Sequence, residues 1–92
     1  MVHYIVHGKN DTVGVMAADV TKGQKLTGWN MEEDSTLHLK AEQDIPLGHK
    51  IALVNMARGE KVIKYGEAIG NASKAIKKGQ HVHTQNLKTA RW

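Results

Sequence analysis

The chain has 92 residues, a formal net charge of +4, no cysteine and no phenylalanine. A length of this kind supports one domain with a thin margin of stability, and the missing cysteines exclude disulfide bracing and thiolate metal sites. No apolar run approaches the ~20 residues that cross a bilayer, the opening MVHYIVHGKN has neither a basic n-region nor a long apolar stretch, and thinly spread lysines with only Tyr4, Tyr65, Trp29 and Trp92 as aromatics do not make a nucleic-acid groove.

The pattern therefore predicts a cytoplasmic protein with no membrane segment and no nucleic-acid partner. Its mild positive balance suits an anionic small molecule or an acidic protein surface. In chain order the apolar residues repeat every second position more often than every 3.6. Val2, Tyr4 and Val6 alternate with His3, Ile5 and His7 and predict a first strand. Strands follow over Val13 to Met16, Thr36 to Lys40, Lys50 to Val54, Lys61 to Lys64, Ala68 to Ala72 and His81 to Gln85. Single helical turns are predicted at Met31 to Asp34 and at Asp44 to Gly48. The only proline, Pro46, holds Ile45 extended and stops a regular helix there.

One phrase recurs. Val20-Thr-Lys-Gly23-Gln-Lys-Leu26, Met56-Ala-Arg-Gly59-Glu-Lys-Val62 and Ile76-Lys-Lys-Gly79-Gln-His-Val82 each run from an apolar anchor through a central glycine to a second apolar anchor. The irregular spacing of the copies excludes a solenoid. It predicts three similar β-turns, each with its glycine at positive φ. The whole chain, 1–92, reads as one folded β domain.

Six histidines in so short a chain are the unusual feature. Imidazole both transfers protons near neutrality and ligates metals. His81 and His83 stand two apart, so a strand puts both rings on one face, where they can serve as a metal-ligand pair or as two solvated side chains. His3 and His7 share a face by the same parity, and His7 adjoins the polar turn Gly8 to Thr12. Gly48-His49-Lys50 offers close approach, an ionisable ring and a charge to an anion. There is no phosphate loop, no dinucleotide fingerprint and no nucleophile elbow. These residues read as a donor of one or two groups to a site shared with another chain.

The order of motifs resembles a known family. His7 with Asp11, Ile45-Pro46-Leu47-Gly48-His49-Lys50-Ile51-Ala52-Leu53, Ile63-Lys64-Tyr65-Gly66-Glu67, Ile69-Gly70 and Gly79-x-His81-Val82-His83-Thr84-x-Asn86 are together similar to the SAF domain of the altronate/galactarate dehydratases, a family that includes the (2R)-sulfolactate sulfo-lyases. The resemblance implies a mainly β fold, a small SAF-type β-clip domain with short strands and tight glycine turns. It also implies a metal-dependent lyase that removes water or sulfite from a hydroxy acid. The chain's part is that of a small subunit, inactive alone, beside a large catalytic subunit holding most of a divalent Fe(2+)-like ion.

On that resemblance His7 and His83 are the expected proton-transfer residues. Asp11, His49, Lys50, Asn86 and Arg91 are the expected contacts to the anionic hydroxy-acid substrate, and His81 with His83 the expected metal ligands. The family's last motif usually reads His-x-His-Asn, whereas Gln85 stands before Asn86 here, and an amide cannot take a proton as imidazole does. A stand-alone SAF module that binds an anion or a protein without chemistry is the alternative. Exposed edge strands leave room for a homo-oligomer in isolation.

Overall fold

In the computed structural model, which describes residues 1–89, nine short strands build two sheets, and no helix occurs among the described residues. They are β1 (Tyr4–Val6), β2 (Val13–Met16), β3 (Lys25–Asn30), β4 (Ser35–Lys40), β5 (Lys50–Ala52), β6 (Lys61–Lys64), β7 (Glu67–Ala72), β8 (His81–Val82) and β9 (Leu87–Thr89). The larger sheet has the order β4-β3-β1-β2-β5-β8 and the smaller β6-β7-β9. All pairings are antiparallel except β1 with β3, which run parallel with Tyr4 opposite Gly28.

Strand alternation divides the interior in two. Tyr4, Val6, Met16, Leu26, Ile45 and Ile51 fill one cluster, while Val13, Ala52, Met56, Val62, Ile76 and Val82 fill the other. Neighbouring residues of one strand thus serve opposite cores: Ile51 the first, Ala52 the second. Each large side chain withdrawn from water contributes roughly 1.5–3 kcal/mol.

The predicted turn phrase is present, with Gly23, Gly59 and Gly79 at φ values of 89°, 91° and 90°. In each copy the residue after glycine donates its N–H to the carbonyl three residues back: Gln24 to Thr21 (3.1 Å), Glu60 to Ala57 (3.0 Å) and Gln80 to Lys77 (3.0 Å). The side chain of that same residue folds back as well. Gln24 Oε1 accepts from Thr21 N (3.1 Å), Glu60 Oε1 from Ala57 N (3.0 Å) and Gln80 Oε1 from Lys77 N (2.8 Å).

The structure adds a fourth copy, Ile45-Pro46-Leu47-Gly48-His49-Lys50-Ile51, with Gly48 at φ 84° and the N–H of His49 donating to the Pro46 carbonyl at 3.1 Å. Here the first turn residue is proline and has no N–H to be capped. Position 49 is therefore released from the closing task that fixes Gln24, Glu60 and Gln80. The turns meet in pairs through the bridges Val20↔Ile45 and Met56↔Ile76. Carboxylates cross between the first pair: Asp19 accepts from Leu47 N (2.7 Å) and Asp44 from Lys22 N (2.8 Å). In the second pair Asn55 accepts from Lys78 N (2.8 Å).

Neither predicted helical turn is helical. Residues 31–34 form the β3–β4 turn with Asp34 at φ 48°, and residues 44–48 hold the Ile45 bridge and the fourth glycine turn. Two strands, β3 and β9, are not predicted from the sequence. The pattern of β3, Lys-Leu-Thr-Gly-Trp-Asn, is interrupted by Gly28, because the ring of Tyr4 occupies the space a Cβ there would need. The strand predicted for 81–85 ends at Val82, where the chain turns with Leu87 N donating to His83 O at 2.8 Å and enters β9.

Candidate functional site

β5 and β8 pair with Lys50 opposite Val82 and Ile51 opposite His81. That register carries one step further to set His49 beside His83. Val82 turns fully inward, so His81 and His83 share the other face, both half-buried. Their rings lie 5.4 Å apart centre to centre, tilted by only 10°. His49 stacks on His83 at 4.3 Å, and its Nδ1 lies 2.9 Å from Nε2 of His81. One ligating atom from each of the three rings can be chosen so that all lie within 4.8 Å of one another.

The backbone behind the cluster is fixed. Asn86 is buried; its Oδ1 accepts from His83 N (2.9 Å) and its Nδ2 donates to His81 O (2.8 Å). Gln43 Oε1 accepts from His81 N (2.9 Å), and the His49 carbonyl accepts from Met16 N (2.8 Å). Partial burial pushes the His81 imidazole below its usual pKa, and the neighbouring His49, His83 and Lys50 charges push the same way. The ring therefore stays neutral at pH 7 with a lone pair to offer. Burial, then the Lys64 charge, likewise lowers Lys50.

His7 belongs to a different neighbourhood. Its ring meets that of Tyr65 edge-on, 3.8 Å between centroids at 79°, and its Nδ1 is buried with no hydrogen-bond partner among the described residues. Tyr65 and Gly66 form the two-residue β6–β7 turn with φ values of 56° and 74°, a combination of the kind that hairpins use with Asn-Gly. Asp11 holds this unusual turn. Its carboxylate accepts from Tyr65 N (3.0 Å), Gly66 N (2.9 Å) and Gly8 N (3.1 Å). The β1–β2 register sets His7 at the Val13 end of β2, whereas His49 and His83 lie at the Met16 end. The two histidines expected to share proton transfer are thus not brought together.

Residues 2–90 match the family described as the altronate/galactarate dehydratase SAF domain. The chain belongs to this family. It is 45% identical to the (2R)-sulfolactate sulfo-lyase subunit alpha of Chromohalobacter salexigens over 99% of this chain and 98% of that protein. It is 48% identical to the protein of the same name from Paracoccus pantotrophus, over 65% of this chain and 90% of that one. Altronate dehydratase of Bacillus subtilis is 35% identical over 97% of this chain, which spans only 17% of that enzyme.

The family motifs of this SAF domain thus separate in space. Of the expected site residues, His49, His81 and His83 converge, with half-buried Lys50 next in the chain. Asp11 and Asn86 have their polar atoms committed to backbone groups, which makes them positioning residues. Arg91 lies outside the described residues. His3 accepts from Thr27 N through Nδ1 (2.9 Å) and serves the β1–β3 junction. A groove of about 620 Å³ along β3 and β4, lined by Lys25, Lys40 and Lys78 among others, contains none of the expected site residues.

The sequence pairs His81 with His83 by parity but gives His49 to an anion. The signal that links His49 to them is the proline in its turn, which frees position 49. Gln85 is the other group missed as a neighbour of the cluster. Its amide nitrogen lies 3.5 Å from His81 Nδ1.

Proposed function

We propose that this chain is the small subunit of a two-part lyase, that the lyase eliminates sulfite from (2R)-sulfolactate, and that the His49–His81–His83 face completes a site whose larger part a partner chain carries. The observation that carries the reading is the match to a subunit alpha over 98% of that protein's length, against 17% for altronate dehydratase. An altronate-type sugar acid losing water is the alternative substrate.

The chemistry gives the preference a physical basis. A base takes the proton α to the carboxylate, and the electron pair then expels the group on the β carbon. Hydroxide is a poor leaving group and needs a proton from an acid, whereas sulfite leaves with less help. His81 is disfavoured as an acid, because burial and the neighbouring charges oppose its protonated form, and on the family resemblance Gln85 replaces a further histidine. Loss of sulfite suits such a site better than loss of water.

Elimination also builds enediolate charge, which a divalent iron-like ion, when bound, would stabilise as a Lewis acid. The resemblance gives most of that ion's ligation to the large subunit. Among this chain's described residues, the donor set that fits it is His49, His81 and His83, since neutral imidazole suits the later divalent transition metals. Lys50 adds positive charge beside the rings, where an anionic carboxylate or sulfonate can be drawn in. Rigid support from Asn86 and Gln43 keeps the rings in place for a partner surface to meet.

Co-purification with a large sulfo-lyase subunit, followed by assay of sulfolactate and altronate side by side, tests the reading. Sulfite release that requires both chains, with no turnover of altronate, is expected. Turnover by the small chain alone, or exclusive dehydration of altronate by the pair, would contradict it.

A further inference from the structure

We infer that His49, His81 and His83 form a three-nitrogen site at which this chain, by itself, binds one divalent transition-metal ion of the zinc, cobalt or iron(II) class and leaves a coordination position open. The inference goes beyond the lyase reading, because it concerns the free chain and holds whatever the ion is used for.

One of the three nitrogen pairs already has the spacing of ligands on a shared ion. Two imidazole nitrogens bound to one ion at about 2.1 Å stand about 3.0 Å apart in right-angled positions and about 3.4 Å apart in tetrahedral ones. His49 Nδ1 and His81 Nε2 already stand 2.9 Å apart, and all three ligating atoms lie within 4.8 Å of one another. His83, stacked on His49 at 4.3 Å, turns out of that stack to bring a nitrogen to the same ion. Without an ion, the His49–His81 contact needs a shared proton between two nitrogens, and a metal ion takes the place of that proton.

The donor set selects the class of ion. Three imidazoles with no carboxylate among them suit zinc, cobalt and iron(II), whereas calcium and magnesium require oxygen ligands. The backbone that carries the rings is held in place: Asn86 and Gln43 bind the backbone of His81 and His83, and the Gln85 amide nitrogen stands 3.5 Å from His81 Nδ1 and 3.4 Å from the His81 carbonyl.

The place explains the open position. β8 is the edge strand of the larger sheet, and the three rings are only half-buried, so a water, a substrate oxygen or a partner side chain can reach the ion. Three protein ligands with one free position is the arrangement of catalytic rather than structural zinc.

The test is titration of the free chain with cobalt(II) and zinc(II), read by the visible cobalt spectrum and by calorimetry. One equivalent per chain is expected, with the bands of nitrogen-coordinated cobalt. His81→Asn and His83→Asn should each weaken binding about tenfold or more, while His38→Asn, on exposed β4, should leave it unchanged. Melting curves of each variant show that the fold is retained; should the single variants fail to fold, His49→Gln is the substitute. No uptake by a chain that still melts cooperatively, or uptake that persists in the His81→Asn/His83→Asn double variant, would overturn the inference. Neither readout involves turnover, so loss of this site and loss of the lyase reading are separable results.

Discussion

Nδ1 of His49 lies 2.9 Å from Nε2 of His81 across 32 residues of sequence, a meeting made by the β5–β8 register and by a proline that leaves position 49 unemployed in its own turn. The contact has a consequence for stability. His81 titrates below the ordinary value of 6.5 in the folded chain, first because burial disfavours its charge and then because His49, His83 and Lys50 repel it. As pH falls the unfolded chain takes up that proton first, so the stability this neutral ring contributes is present above pH 6.5 and drains away as pH drops through the lower folded value. Melting temperature should fall below pH 6.5 in the wild type, and His81→Gln should flatten the curve. A curve with no slope in that window would contradict the account.

Tyr4 gives the opposite edge of the pH range. Its side chain is wholly buried against Gly28 and Gly14, its hydroxyl has no hydrogen-bond partner among the described residues, and burial raises its pKa from 10.0 to about 12. The folded state holds this proton longer than the unfolded state, so the contribution is intact below pH 10 and is lost as pH rises toward 12. The size is on the order of 2 kcal/mol. Tyr4→Phe removes an unsatisfied hydroxyl at little cost in volume. It should raise stability at pH 7 by about 1 kcal/mol and abolish the alkaline decline. Urea unfolding at pH 7 and at pH 11 measures both effects.

Asp11 ties the His7 loop to the β6–β7 turn through three backbone N–H groups. Asp11→Ala leaves those donors without an acceptor and frees Tyr65 from its positive-φ conformation. A loss of about 3 kcal/mol is expected in urea unfolding. Because this cluster lies at the other end of the strands, cobalt binding by the surviving folded fraction should be unchanged.

The glycine turns supply a contrast of their own. Gln80→Ala removes the acceptor for Lys77 N and should cost about 1 kcal/mol. Pro46→Ala restores an N–H that His49, turned toward His81, does not cap, so it should stabilise nothing and cost a few tenths of a kcal/mol through the looser unfolded chain. Thermal melts of the two variants compare the effects directly.

Much of the fold is legible because short strands between glycine turns leave a period-2 trace, and because Gly23, Gly59 and Gly79 stand between apolar anchors that are all buried. The β3 strand is hidden because Gly28 yields its side-chain space to Tyr4, and β9 because a two-residue strand and a turn precede it. At the site, parity reveals His81 and His83, since strand alternation is local. The convergence of His49 depends on which strand lies beside which, and periodicity carries no record of that. Asp11 and Asn86 have the residue types of substrate contacts, but only the structure shows that their oxygens and nitrogens are already taken by the backbone.

The measurement closest to the central claim is sulfite release from (2R)-sulfolactate by this chain assembled with a large sulfo-lyase subunit, comparing wild type with His83→Asn and with His7→Asn. The account predicts a fall of about a hundredfold for His83→Asn, with assembly intact, and a smaller effect for His7→Asn. Unchanged turnover in His83→Asn, or full turnover by either chain without the other, would contradict it.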